Sequence, residues 1–332
     1  MKTKIQSLFL LKAICALFVV IIHFPLAGKI YLDPLIKASV PIFYMITGYF
    51  MFSNLEEGKT QRKLLHASFK ILKLILGSSI VYISFNFYIG IPCNLTSING
   101  IIRFIFWGDN ISGHLYFLTS YFWATFLLSL LSITQLRQYL PWLSLLIIGN
   151  ILLGRYFFVL QDLVMDGKTY NMPVGMKNNA LFLAIPCISM GYIARQWQNK
   201  LSNKQSIILL LIFFMISYME FIILRKGLHV ESLSAFTIST FPLSIFTLLS
   251  FVHNNKPLKV NFINRWGGVI GEKYSTDIYL WHPIIGTLVM SPLIIFKPIL
   301  ALIIYLLCII FSYIITLIKS HYIKKNNASI SK

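Results

Sequence analysis

Apolar runs of about twenty residues, the length that crosses a bilayer as a helix, recur along the whole of this chain. The chain has 332 residues, of which 57% are hydrophobic and only 12% are charged. A soluble domain of this length does not need so much apolar surface. We therefore expect an all-α fold, a polytopic membrane bundle without a separate soluble domain.

Ten such runs predict about ten transmembrane helices, at roughly 5–26, 34–53, 70–91, 114–133, 140–160, 179–196, 205–225, 236–253, 274–292 and 297–319. With the N-terminus in the cytoplasm, most lysine and arginine residues fall on the inner side, as the positive-inside rule requires. An odd number of spans would destroy this asymmetry. We therefore expect cytoplasmic N- and C-termini and a retained first span, because no cleavage site of the signal-peptide type follows it.

The segments between the runs complete the predicted organisation. We expect residues 1–320 to form one transmembrane domain and residues 321–332 a polar cytoplasmic tail. Residues 54–69 and 254–273 are predicted to be inner loops. The outer loop 92–113 contains the amphipathic stretch INGIIRFIFWGD, whose aromatic residues suit the membrane interface.

Charge and cysteine content exclude two other classes of site. The net charge of +19 would suggest a nucleic-acid partner in a soluble protein, but in a membrane protein it follows from basic cytoplasmic loops, so we expect no nucleic acid. Cys15, Cys93, Cys187 and Cys308 are widely spaced, with no histidine at ligand spacing. We expect neither a disulfide framework nor a metal site.

Two ionisable residues, Lys12 and His23, lie inside the first apolar run. Such residues are costly in a membrane and mark functional sites. Eleven helical steps amount to about three turns, so both side chains are predicted to lie on one helix face, about 16 Å apart along the axis. A histidine can accept and return a proton near neutral pH, and a lysine near the inner surface can hold an anion.

Each of these residues also has a structural interpretation. His23 could be a neutral histidine bonded to a neighbouring helix, and Lys12 could extend toward the inner surface. Their common face favours a functional role. Four further cations, Arg62, Lys63, Lys70 and Lys73, would extend the positive charge of Lys12, although ordinary positive-inside charge also explains them.

The motifs around these residues follow a recognisable order. Lys12 and His23, with ten residues between them, are followed by SVPIFYMITGYFMF, which includes Pro41, Phe43, Thr47, Gly48 and Tyr49. Three later stretches are GHLYFLTSYFW (113–123), AIPCISMGYIAR (184–195) and STDIYLWHPII (275–285). In this order the chain resembles the acyltransferase 3 family, integral membrane O-acyltransferases that modify bacterial envelope glycans and exopolysaccharides.

The resemblance implies transfer of an acyl group, usually acetyl, from acyl-CoA to a hydroxyl of an extracytoplasmic glycan or lipid-linked sugar. The expected partners are therefore acyl-CoA, that acceptor, the lipid bilayer of the bacterial cytoplasmic membrane and separate envelope-biosynthesis proteins. No tightly bound cofactor is expected, since acetyl-CoA is a donor substrate.

The resemblance also implies roles for individual residues. His23 matches the catalytic histidine, as base or acyl relay, and Lys12 matches its basic partner, where the family more often has arginine. Lys12 with Arg62, Lys63, Lys70 and Lys73 would bind the donor. The residues expected to line the cavity are Thr47, Tyr49, His114, Tyr116 and His282. A transporter or flippase for a small solute or glycan precursor is the alternative, because a ten-span bundle with buried lysine and histidine could also move a solute.

Overall fold

The computed structural model describes residues 6–53, 55–91, 93, 95–159, 174–228, 236–254 and 262–330. Within these ranges the regular secondary structure is helical and there is no strand, which confirms the predicted all-α class. The α-helices are α1 (Gln6–His23), α2 (Asp33–Met51), α3 (Lys59–Tyr88), α4 (Ile98–Phe106), α5 (Tyr116–Ser129), α6 (Ile133–Leu143), α7 (Ile147–Leu153), α8 (Val174–Lys177), α9 (Ile185–Trp197), α10 (Asn203–Ile222), α11 (Thr240–His253), α12 (Phe262–Val269), α13 (Ser275–Met290) and α14 (Leu300–Ile330).

Shorter helical segments join several of these helices. Segments of 3₁₀-helix lie at Lys29–Leu32, Gly113–Leu115, Ser144–Leu146 and Ile294–Ile299. Turns of π-helix lie at Ala180–Ala184, Ile223–Gly227 and Ile270–Tyr274.

Six helical segments in the described part of the chain are long and apolar enough to cross a membrane: Gln6–His23, Lys29–Met51, Lys59–Tyr88, Ile133–Leu153, Asn203–Gly227 and Ile294–His321. The four other predicted spans overlap α5, α9, α11 and α13, which have 13 to 16 residues each. These helices are shorter than the roughly twenty residues that a span requires. The ten-span count and the cytoplasmic termini therefore stay predictions.

The chain divides into two compact units, and the boundary falls within α2. The first unit comprises Met1–Ser39 and Asn254–Lys332, and the second comprises Val40–His253. The predicted division into a domain of residues 1–320 and a tail stays a prediction. Helix α14 continues to Ile330, and residues 331–332 of that tail lie outside the described ranges.

In the first unit, α1 packs against a helical segment that the sequence predicted to be an inner loop. Within the predicted loop 254–273, residues 262–269 form α12 and the π-helical turn follows directly, so this part of the prediction is wrong. Gly271 explains the difference. A β-carbon there would lie 1.7 Å from the carbonyl oxygen of Phe9, so the glycine permits a segment between two apolar runs to pack closely against α1. Residues 255–261 of that loop lie outside the described part of the chain.

The second unit contains another close crossing, between α2 and α9. A β-carbon at Gly48 would lie 1.9 Å from the carbonyl oxygen of Ile188, and one at Gly191 would lie 2.1 Å from that of Met45. Each glycine therefore admits the backbone of the opposite helix. Both glycines belong to motifs of the family resemblance, and their role here is to let the two helices touch.

Helix α3 starts earlier than the sequence predicted. Residues 59–69 were expected to be part of an inner loop, but the helix begins at Lys59. Thr60, Leu64 and Ser68 repeat at a spacing of four residues and are buried, which gives the polar stretch one packed face. The predicted loop is wrong over these residues because an amphipathic helical turn resembles a polar loop in composition.

The predicted amphipathic segment of the outer loop is confirmed as helix α4. Ser97 caps it, with its hydroxyl accepting a hydrogen bond from the backbone N–H of Gly100. Large apolar side chains are exposed along α4: Ile98, Ile101, Ile102, Ile105 and Phe106. An exposed apolar face on a short helix is suited to the membrane interface.

Candidate functional site

Helix α1 carries both ionisable residues that the sequence singled out. Lys12 lies in the first half of the helix, partly buried, with its ammonium 5.9 Å from the centre of the Phe9 ring. His23 is the last residue of α1, and its side chain is exposed. One continuous helix therefore carries a cation in its first half and an accessible imidazole at its C-terminal end.

The imidazole of His23 faces a second histidine from the C-terminal part of the chain. The ring centres of His23 and His282 are 5.0 Å apart, and the planes are inclined at 43°. His282 lies in α13 and is completely buried, whereas His23 is exposed. The structure thus brings together two residues that are 259 positions apart in the chain, both of which the sequence had named.

The protonation of His282 on one nitrogen follows from its hydrogen bonds. Its Nδ1 lies 3.1 Å from the carbonyl oxygen of Ile278 and 2.8 Å from that of Tyr279. Since carbonyl oxygens only accept hydrogen bonds, Nδ1 must be the donor. Pro283 has no N–H to bond to the carbonyl of Tyr279, so the imidazole of His282 satisfies this carbonyl instead.

Phe24, which follows His23, fixes the end of α1 against α13. Its ring lies edge-on to the imidazole of His282, with 6.3 Å between the ring centres. The same ring occupies the space above Gly286, where a β-carbon would lie 1.9 Å from Cζ of Phe24. His282 and Gly286 are one helical turn apart, and together they form the surface that holds the His23–Phe24 pair.

Lys29 also belongs to this site, although no sequence motif had marked it. Its Nζ donates a hydrogen bond to the carbonyl oxygen of Ile22 at 2.7 Å and approaches that of Phe24 at 3.5 Å. The ammonium is therefore bound to the carbonyls on both sides of His23. The sequence contains one signal for this return of the chain, Gly28, whose φ of +71° is the left-handed conformation that glycine adopts readily.

Two residues that were predicted to line a cavity lie in the second unit. Thr47 shares a 2.7 Å hydrogen bond with the hydroxyl of Tyr121. Tyr49 is completely buried, and its hydroxyl donates to Gln198 at 2.5 Å and accepts from the guanidinium of Arg195 at 2.6 Å. These bonds join the Thr-Gly-Tyr motif to Arg195, the last residue of the stretch AIPCISMGYIAR (184–195). The predicted cavity role of both residues stays a prediction.

His114 and Tyr116 also belong to the second unit, where His114 lies in the 3₁₀ segment that precedes α5. His114 is buried, shares a 2.9 Å hydrogen bond between its Nδ1 and the hydroxyl of Ser112, and lies 4.9 Å from the ring centre of Tyr82. Tyr116 is the first residue of α5 and is partly buried. Their predicted role in lining the acceptor cavity stays a prediction.

Four of the five cations expected to bind the donor lie on α3. Arg62, Lys70 and Lys73 are exposed, and Lys63 is partly exposed. At 100° per residue the three exposed cations fall within about 80° of one another, opposite the buried positions of the same helix. They form a cationic stripe that is accessible from outside the unit.

A separate cavity of about 580 Å³ in the second unit contains none of the predicted site residues. Apolar side chains line it, together with Tyr156, Glu220 and Ser239. The carboxylate of Glu220 accepts hydrogen bonds from the hydroxyls of Tyr156 and Ser239 and from the backbone N–H of Ile238 and Ser239. Glu220 therefore joins α10 to the start of α11.

Comparison with known proteins identifies the family. The acyltransferase 3 model, described as an acyltransferase domain, matches residues 5–317, which is nearly the whole chain. No curated protein and no solved structure matches the chain. The matched range includes Lys12, His23, Lys29 and His282. The chain therefore belongs to the acyltransferase 3 family, and it is a membrane acyltransferase.

Proposed function

We propose that the protein is an O-acyltransferase of the bacterial cytoplasmic membrane. It transfers an acyl group, acetyl being the expected one, from cytoplasmic acyl-CoA to a hydroxyl of an extracytoplasmic glycan or lipid-linked sugar. The observation that carries the proposal is the position of His23. Its exposed imidazole ends a helix that also carries Lys12, and it lies against the buried ring of His282.

The chemistry requires a base more than it requires an activated nucleophile. The thioester is already activated, so the acceptor hydroxyl needs only to lose its proton as it attacks. In direct transfer, a nitrogen of His23 takes the hydroxyl proton while the new C–O bond forms at the thioester carbon. The C–S bond then breaks, and the CoA thiolate leaves with the proton that His23 returns.

An acyl relay is the second route for the same residue. Here the lone-pair nitrogen of His23 attacks the thioester carbon, the C–S bond breaks, and the CoA thiolate takes the proton of the other ring nitrogen and leaves as the thiol. The acceptor hydroxyl then attacks the acyl-imidazole, the C–N bond breaks, and the hydroxyl proton passes to the released ring, which regenerates neutral His23. Incubation with radiolabelled donor in the absence of acceptor, followed by rapid gel filtration at neutral pH, separates the routes, because only the relay leaves label on the protein.

Binding of the acyl-CoA donor is proposed from the positions of the basic residues. CoA carries several phosphate charges, so it requires cations near the cytoplasmic surface. Lys12 lies in the half of α1 that is predicted to be cytoplasmic, and the cationic stripe of α3 (Arg62, Lys70 and Lys73), with Lys63, is accessible. Lys29 adds a cation next to His23, where negative charge develops on the thioester oxygen during attack.

The first test is transfer of radiolabelled acetyl groups by detergent-purified protein. Wild-type protein and His23→Ala are incubated with labelled acetyl-CoA and a crude envelope-glycan extract, and label on glycan is counted. Transfer by the wild type alone supports the proposal. If folded wild-type protein neither binds acetyl-CoA nor transfers label, the proposal is wrong, and solute uptake in vesicles becomes the next experiment, because a transporter is the alternative.

A further inference from the structure

His282, the buried histidine beside His23, hydrogen-bonds to backbone carbonyl oxygens through one of its two ring nitrogens, Nδ1. Nδ1 of His282 donates to the carbonyl of Tyr279 in its own helix. In the neutral ring this leaves the lone pair on Nε2, which is therefore an acceptor. The carbonyl released by Pro283 thus determines which nitrogen of His282 accepts.

We infer that His282 is a positioning residue for His23, which it orients through this accepting nitrogen. One nitrogen of the His23 ring donates to Nε2 of His282, so the lone pair of the other nitrogen faces the reacting hydroxyl. When His23 takes up the proton, the same bond becomes charge-assisted and stabilises the imidazolium. The proton stays on His23 until the leaving thiolate takes it. This inference rests on the proposed function of His23 as the base.

Three observations support this arrangement. The ring centres are 5.0 Å apart, so a rotation of the exposed His23 side chain is enough to bring one of its nitrogens to hydrogen-bonding distance of Nε2 of His282. His282 cannot turn easily, because it is completely buried and two carbonyls bind its Nδ1. Phe24 packs above Gly286, so the backbone that carries His23 is held against the same helix.

The exposed and buried members of the pair therefore have different tasks. The exposed ring of His23 can meet a substrate, whereas the buried ring of His282 cannot. A buried partner that accepts a hydrogen bond from the second nitrogen of an imidazole fixes its tautomer and makes the first nitrogen more basic. His282 would act in this way without touching the acyl group or the acceptor.

Two substitutions separate this role from simple support of α13. In His282→Asn the short amide can still donate to the carbonyl of Tyr279, but it does not extend to His23, so folding is preserved while the orienting bond is lost. In His282→Gln the longer side chain places its carbonyl oxygen near the position of Nε2. Trp281→Phe is the control, because Trp281 packs on Phe311 with 5.8 Å between ring centres.

The first measurement is the kinetics of acetyl transfer from radiolabelled acetyl-CoA to the envelope-glycan extract. We expect His282→Asn to lower kcat on the order of tenfold to a hundredfold while KM for acetyl-CoA changes less than about twofold. His282→Gln should recover much of the loss, and Trp281→Phe should keep the wild-type kcat. A His282→Asn protein with wild-type kcat overturns the inference, and so does a His282→Gln protein that is no better than His282→Asn.

The second measurement does not depend on acyl transfer. Diethyl pyrocarbonate modifies the nucleophilic nitrogen of accessible histidines, and peptide mass spectrometry follows His23 and the exposed His321 separately. We expect His282→Asn to slow modification of His23 by several-fold and to leave His321 unchanged. An unchanged rate at His23 overturns the inference. If the wild type transfers no acetyl group, the proposed function is wrong, but this rate still decides whether His282 orients His23.

Discussion

The carbonyl oxygen of Phe9 in helix α1 lies so close to Gly271 that a β-carbon at that glycine would be 1.7 Å from it. This contact holds α1 against the helical segment that leads into α13. Since α1 carries His23 and α13 carries His282, the spacing between these two helices decides whether the histidines meet. The glycine is thus a structural requirement of the candidate site, although it lies far from it along the helices.

Gly271→Ala is therefore expected to destabilise the protein. The added methyl group must displace backbone, which no side-chain movement can relieve, so we expect a loss of about 1–3 kcal/mol or more in the free energy of unfolding. Gly268→Ala is the matched control, because a β-carbon there has no atom within 4 Å. Thermal unfolding in detergent, followed by circular dichroism, compares the two variants. Equal stability of both would contradict the proposed close packing.

Replacing His23 tests the central residue. His23→Ala removes the proposed base and only a modest volume from an exposed position, so transfer should fall by roughly 10²- to 10⁴-fold while thermal unfolding stays unchanged. The matched control is His66→Ala, which removes an exposed histidine from α3. Acetyl transfer to envelope glycan is the measurement. Normal transfer by His23→Ala would exclude the mechanism proposed for His23.

Lys12 is expected to act in donor binding. Lys12→Ala should raise KM for acetyl-CoA by about tenfold with a smaller change in kcat, because it removes one charge-assisted contact to phosphate. Lys12→Arg keeps the charge and should retain much of the activity. Lys200→Ala is the control, since Lys200 is exposed and also lies in a segment predicted to be cytoplasmic. A lower kcat with unchanged KM would place Lys12 in the chemical step instead.

Lys29 offers a test of a residue that only the structure revealed. Its ammonium binds the carbonyl of Ile22 at 2.7 Å, and loss of such a charged hydrogen bond should release the end of α1. We expect Lys29→Met to lower kcat roughly tenfold, because His23 is then held less firmly. Lys226→Met, an exposed lysine in a segment predicted to be on the same side, serves as the control. Identical kinetics for the two variants would show that Lys29 does not support His23.

Local sequence patterns predicted much of the helical structure. The apolar run around Lys12 and His23 is one continuous helix, as predicted, and the amphipathic stretch after Ser97 forms α4. These features depend on residues within a few helical turns of one another, so periodicity and capping residues are enough to indicate them. The predictions failed at residues 59–69 and 262–273, which were expected to be loops because they lie between apolar runs. There, packing against other helices compensates for weak local preference.

The candidate site, like the fold, could be predicted from the sequence only in part. The sequence by itself determined that a histidine and a lysine share one face of the first helix, because helical periodicity sets their directions. The stretch STDIYLWHPII also singled out His282, but it did not indicate which residue His282 contacts. Only the tertiary structure decided that the ring of His282 lies 5.0 Å from that of His23 and that Lys29 returns to the carbonyl of Ile22. The contact between the two histidines depends on how glycines such as Gly271 and Gly286 let distant helices approach, and no local pattern in the chain indicates that distance. The Lys29 bond is local, but of this turn the sequence indicated only the flexible Gly28.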